Sequence, residues 1–105
     1  MAQFVVYKNS NKATRDNFPF LLDIQSNLFD GLKTTVVIPL MPRKIATTQA
    51  ITRLNPEFKI KKDKYILLTQ NIAGIDRRIL GEEIVKLADQ RAEIIAALDF
   101  LVSGI

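Results

Sequence analysis

The stretch "LADQRAEIIAALDFLVSGI", Leu87 to Ile105, decides the fold, because the periodicity of the chain changes there. Leu87, Ile94, Leu98, Leu101 and Ile105 recur at steps of three and four, with only Arg91 breaking the series and Ile95 and Val102 beside it. That is one face of an α-helix. Asp89 is the expected N-cap, since its carboxylate can accept from the unpaired amides of the first turn. Gly104 falls where a C-terminal residue of left-handed conformation belongs. The spacing predicts a helix from about Gln90 to about Val102.

Upstream, the pattern is that of short strands parted by turn signals. "QFVVY" (Gln3 to Tyr7) carries the β-branched and aromatic residues suited to a pleated surface. The polar "KNSNKATRDN" (Lys8 to Asn17) reads as a mobile surface loop. "FLLDIQS" (Phe20 to Ser26) alternates, with Phe20, Leu22 and Ile24 on one side and Asp23 and Gln25 on the other, as in a half-buried strand. "TTVVIPL" (Thr34 to Leu40) is a near-continuous apolar run and reads as a central strand. Its Pro39 has no amide to donate, so pairing should change partner or bulge there. "EFKI" and "KYILLT", split by Lys61 to Asp63, read as a hairpin. Strands followed by one terminal helix give a mostly β protein with a C-terminal α-helix, a small barrel or curled sheet with the helix covering one side.

The 105 residues fit one domain, 1–105, with a single core. Hydrophobic residues make up 48% and charged residues 25%, which argues for a packed globule against disorder. There is no cysteine and no histidine, so no disulfide framework, no thiolate metal site and no imidazole base or zinc ligand. The opening "MAQFVVYKNS" lacks the regions of a signal peptide, and no apolar run is long enough for a membrane span. The expected location is the cytoplasm. The net charge of +4 is scattered, with "KIKKDK" (Lys59 to Lys64) the one dense cluster. Lysines at a hairpin tip are most simply solvated, and the interleaved aromatics of single-strand binders are absent.

Catalytic constellations are missing. There is no Gly-rich phosphate loop, no G-x-S-x-G elbow and no H-E-x-x-H. The neighbouring carboxylates Glu82 and Glu83 would point to opposite faces of a strand, one exposed and one engaged in a hydrogen bond or ion pair. Arg77 and Arg78 with Thr69 are the candidates for a histidine-free ribonuclease site. Without catalytic, metal or cofactor-binding residues, the chain reads as a binding protein. Its helix end is the candidate surface: the final carbonyls are electronegative, Asp99 adds an anion, and Val102 and Ile105 add apolar area. With no cation after Arg91, the tip would welcome an external arginine or lysine.

In order, "QFVVY", "LLDIQS", "VVIPL", "LNP", "LGEEI" and a helix ending in "GI" resemble the CcdB family, the toxin half of the controller-of-cell-death toxin–antitoxin module. The match looks gapless from Phe20 to Ile105, while the polar loop after Tyr7 is a few residues longer than in the family's best-known member. The resemblance implies a homodimer of the small SH3-like barrel shared with the MazF and Kid toxins. It implies a poison of DNA gyrase that binds the gyrase A subunit and traps the cleaved-DNA complex, with no catalysis and no cofactor. It also implies neutralisation by a CcdA-like antitoxin. Carried over residue by residue, the gyrase-binding positions are Leu28, Phe29, Asp99, Val102, Ser103, Gly104 and Ile105. Lys8, Lys12 and Arg15 are the antitoxin-binding candidates, offering positive charge to an acidic segment. The alternative on the same barrel is a MazF-like endoribonuclease.

Two positions depart from the family pattern. Ser103 stands where the best-known member has Trp, and Phe29 offers an aromatic ring where it has an aliphatic residue, which makes Phe29 the candidate replacement anchor. A Ser-x-x-Glu capping box corresponds here to Ala88 and Arg91, which moves the expected cap to Asp89.

Overall fold

Proline and β-branched residues set the frame of the sheet. The computed structural model describes residues 3–46 and 51–104. Strand β1 (Val5–Asn9) lies between β2 (Phe20–Asp23) and β7 (Leu80–Lys86), and both pairings are antiparallel. β2 pairs in turn with the long β3 (Thr34–Pro42), Phe20 facing Leu40 and Leu22 facing Ile38. The far edge of β3 is shared. Its first half, Thr34 to Val37, pairs with β6 (Ala73–Asp76), and its last residues, Leu40 to Pro42, pair with β5 (Asp63–Leu67). β4 (Glu57–Ile60) completes the sheet as the hairpin partner of β5.

The seven-stranded sheet runs β4-β5-β3-β2-β1-β7, with β6 also on β3, and curls into a barrel-like half-shell. Pro39 sits where β3 changes partner. The carbonyl and missing amide of a strand residue face the same edge, and here that carbonyl accepts from Leu68 N at 2.9 Å in the interval between β6 and β5. No ladder bond is lost.

β1 begins at Val5 because Phe4 turns to φ +67°, a strained conformation for a bulky residue. Phe4 is nonetheless buried, its N–H donating to Asp23 O at 2.7 Å and its carbonyl accepting from Leu87 N at 2.8 Å. One residue thus joins the end of β2 to the segment that leads into the helix. Opposite β1, β7 carries register irregularities: Val6 faces Val85, Tyr7 faces Glu83 and Asn9 faces Leu80. The additional residues on β7 increase its curl. Gly81 lies in one of these bulges, where a Cβ would stand 3.0 Å from Lys8 O. The bulge also breaks strict alternation, so Glu82 and Glu83 are both exposed rather than one exposed and one engaged.

β2 departs from the half-buried reading, since all four of its residues are buried. Phe20 and Leu22 join the main core with Val6, Ile38, Leu40 and Ile94, while Leu21 packs on the opposite face. Asp23, at 2% exposure, accepts from Thr35 Oγ1 at 2.8 Å and from Gln25 N at 3.2 Å. A buried carboxylate persists only with such donors.

Helix α1 (Arg91–Ser103) follows a 3₁₀ turn over Ala88–Gln90. The Asp89 cap is not made: Gln90 occupies the N-cap position with no side-chain cap bond, and Asp89 lies inside the 3₁₀ turn. The turn supplies i→i+3 bonds where a capping side chain would otherwise be needed. Gly104 closes the other end at φ +73°, donating to Phe100 O at 2.8 Å, as its position predicts. The buried stripe is Ile94 and Ala97, with Ile95 and Leu98 partly covered. Leu101 is exposed, so the apolar series outlasts the packed part of the helix. Its last member, Ile105, lies outside the described residues. No helix among the described residues is long and apolar enough to cross a membrane.

Candidate binding surfaces on a turn, a helix end and a loop

After β2 the chain enters a polar bend and then a 3₁₀ turn over Asn27–Phe29. Ser26 caps it, its Oγ accepting from Leu28 N at 3.2 Å. Asn27 Oδ1 accepts from Gln3 N at 2.9 Å, and Gln25 Nε2 reaches Phe29 O at 3.4 Å and Thr34 O at 3.3 Å. This polar bracing leaves the apolar side chains outward: Leu28 is 83% and Phe29 49% exposed. Two adjacent large apolar side chains held out by a braced turn make an exposed apolar patch, a candidate contact surface.

The helix end offers a second surface. Val102 is 86% exposed, and Asp99, Ser103 and Gly104 are exposed around it. Ser103 Oγ donates back to Asp99 O at 2.7 Å, the back-bond of a serine to the carbonyl four residues earlier in its helix. The last turn carries no basic residue of its own. A cation does lie nearby: the Arg53 guanidinium stands 4.6 Å over the Phe100 ring. The helix sequence alone hides this, because Arg53 comes from the segment ahead of β4. Gln3 and Arg77 hold the turn, and the helix as a whole packs against the 69–71 and 88–90 turns.

The polar loop after β1 is pinned at its base. The buried Asn9 donates from Nδ2 to Thr14 Oγ1 at 3.0 Å and to Phe18 O at 2.8 Å, and its Oδ1 accepts from Asn11 N at 2.9 Å. Arg15 N bonds Asn11 O and Phe18 N bonds Thr14 O, a helical turn's pattern. Lys8, Lys12 and Arg15 are exposed. Beneath the loop lies a mainly apolar groove of about 240 Å³, lined by Phe18, Leu21, Val37, Pro39, Ile75 and Ile79 among others. The alternation of β2 put Leu21 on its polar side, which is why the groove is not readable there.

The residues of the ribonuclease alternative are otherwise engaged. Thr69 is fully buried, its Oγ1 donating to Leu54 O at 2.6 Å. Arg78 forks onto Asp76, Nε to Oδ1 at 3.1 Å and Nη2 to Oδ2 at 2.9 Å. Asp76 Oδ1 also caps the next turn by accepting from Arg78 N at 2.8 Å. These bonds from the Arg78 side chain and then its backbone amide hold the Asp76 carboxyl below the usual aspartate range. Arg77 donates to main-chain carbonyls, Nε to Leu32 O at 2.6 Å and Nη2 to Phe29 O at 3.2 Å.

A curled antiparallel sheet covered by one helix, with apolar side chains exposed on a turn and a helix end, defines a small sheet-and-helix protein. The family model for CcdB protein matches residues 3–104 of the 105, and the chain belongs to the CcdB protein family. Membership makes it the toxin of a toxin–antitoxin module.

Proposed function

We propose that this toxin poisons DNA gyrase by binding the gyrase A subunit and trapping the enzyme with its DNA cleaved, without catalysis of its own. The observation that carries the reading is the exposure of Leu28, Phe29 and Val102, the apolar members of the set expected to meet gyrase that lie among the described residues. Asp99, Ser103 and Gly104 supply the polar and backbone part of the helix-end contact, and Ile105 extends it. Phe29 acts as the aromatic anchor in place of the ring absent at Ser103. A homodimer in the cytoplasm presents two such surfaces to a two-fold partner. A CcdA-like antitoxin bearing an acidic segment neutralises the toxin through Lys8, Lys12 and Arg15.

Pull-down and titration with a gyrase A fragment test this reading. The full chain should bind, and removal of residues 103–105 should abolish binding while the circular dichroism spectrum is kept. Phe29→Ala should weaken binding at least tenfold, as truncation of an aromatic hot spot does, on the order of 2 kcal/mol. Undiminished binding by the truncated chain would remove the helix end from the site. Affinity within about twofold after Phe29→Ala would remove the anchor.

A further inference from the structure

Arg77 is separated by more than forty positions from the loop it holds. From the turn between β6 and β7 it places donors on three carbonyls of the 27–33 loop: its backbone amide on Lys33 O at 3.0 Å, Nε on Leu32 O at 2.6 Å and Nη2 on Phe29 O at 3.2 Å. The loop's other backbone bonds are local, Phe29 N to Ser26 O, Asp30 N to Asn27 O and Leu32 N to Phe29 O. They shape the turn without fixing it to the body. None of residues 27–29 is buried, so the core does not anchor it either. A segment with few buried apolar contacts opens locally at low cost unless polar bonds hold it.

We propose that Arg77 is a positioning residue for gyrase binding: its guanidinium latches the 27–33 loop and holds Leu28 and Phe29 in the pose the partner meets. The proposal rests on the reading of these two side chains as gyrase contacts. The adjacent arginines are sorted for separate tasks. Asp76 takes Arg78 in a two-pronged pair, which leaves Arg77 for the loop. Charged donors on carbonyls are stronger than neutral ones, and only a planar fork reaches Leu32 O and Phe29 O together. Nη1 is out of water with no acceptor among the described residues, a cost borne in the orientation that sets Nε and Nη2 on their carbonyls.

The test combines amide hydrogen exchange with calorimetric titration of a gyrase A fragment, on the wild type, Arg77→Met, Arg77→Lys, Leu28→Ala/Phe29→Ala and the triple variant with Arg77→Met. Arg77→Met should speed exchange at Phe29, Asp30 and Leu32 while β2 and β3 keep their protection, and should weaken binding about tenfold through the added ordering cost. Arg77→Lys should recover less than half of the loss in binding free energy, because one ammonium cannot serve both carbonyls. In the Leu28→Ala/Phe29→Ala background, Arg77→Met should add nothing, a coupling that a general loss of stability would not produce.

Unchanged exchange in the loop overturns the latch. A loosened loop with unchanged affinity, while Leu28→Ala/Phe29→Ala binds weakly, overturns the positioning role and leaves the gyrase reading intact. Full affinity in Leu28→Ala/Phe29→Ala overturns that reading of the turn, and the proposal with it. If Arg77→Met fails to fold, Arg77→Lys decides alone: wild-type protection and affinity in that variant overturn the fork.

Discussion

Lys61 holds φ at +60° at the tip of the β4–β5 hairpin, between Ile60 and Asp63, which face each other. Two-residue hairpin turns need a left-handed residue to match strand twist, and glycine takes that conformation without a Cβ penalty. Lys61→Gly should therefore stabilise the fold by about 1 kcal/mol, read as a higher urea midpoint with an unchanged slope. Single residues also mark the limits of reading by pattern. Pro39 was legible because a missing amide has one consequence in a ladder, and the change of strand partner falls there. Gly104 was legible for the matching reason at a helix end. Asp23 was not, since alternation assigns it to solvent, and only the folded register brings Thr35 Oγ1 to within 2.8 Å of it. Asp89 misled because a carboxylate beside a helix start suits a cap, whereas the chain enters through a 3₁₀ turn.

Among elements, the loop after β1 departs furthest from its polar composition. Asn9 is the last residue of β1, and its side chain ties the loop back across five and nine positions. Asn9→Ala removes two donated bonds and one accepted bond from a buried position. It should destabilise the protein by about 2 kcal/mol in denaturant titration and raise exchange at Asn11 and Arg15. The strands and the helix were legible as elements because their apolar periods are two and near 3.6. Where β7 bulges, period two fails, and the exposure of both Glu82 and Glu83 could not follow from it. The candidate turn was legible only through family likeness. Nothing in "NLF" alone sets Leu28 and Phe29 outward, since that depends on Ser26, Gln25 and a distant arginine.

For the molecule as a whole, the scattered net charge of +4 meets no assembled nucleic-acid site among the arginines weighed for one. Arg77 is committed to carbonyls, Arg78 to Asp76, and Thr69 is sealed from solvent. Incubated with RNA, the protein should leave it whole on a denaturing gel over times at which a gyrase assay registers inhibition, and cleavage would revive the ribonuclease alternative.

Pro39 has a consequence for how the chain is sewn together. Sheets are prone to slip by two residues, because side chains then keep their faces. If β3 slid that far along the edge it shares with β6 and β5, Pro39 would meet a strand acceptor with no hydrogen to offer, and a neighbour's N–H would be stranded in the interval it now spans. Each such buried orphan costs about 1–3 kcal/mol. The ring is a peg, admitting one alignment of β3 with β6 and β5 and penalising the nearest misthreading on that side.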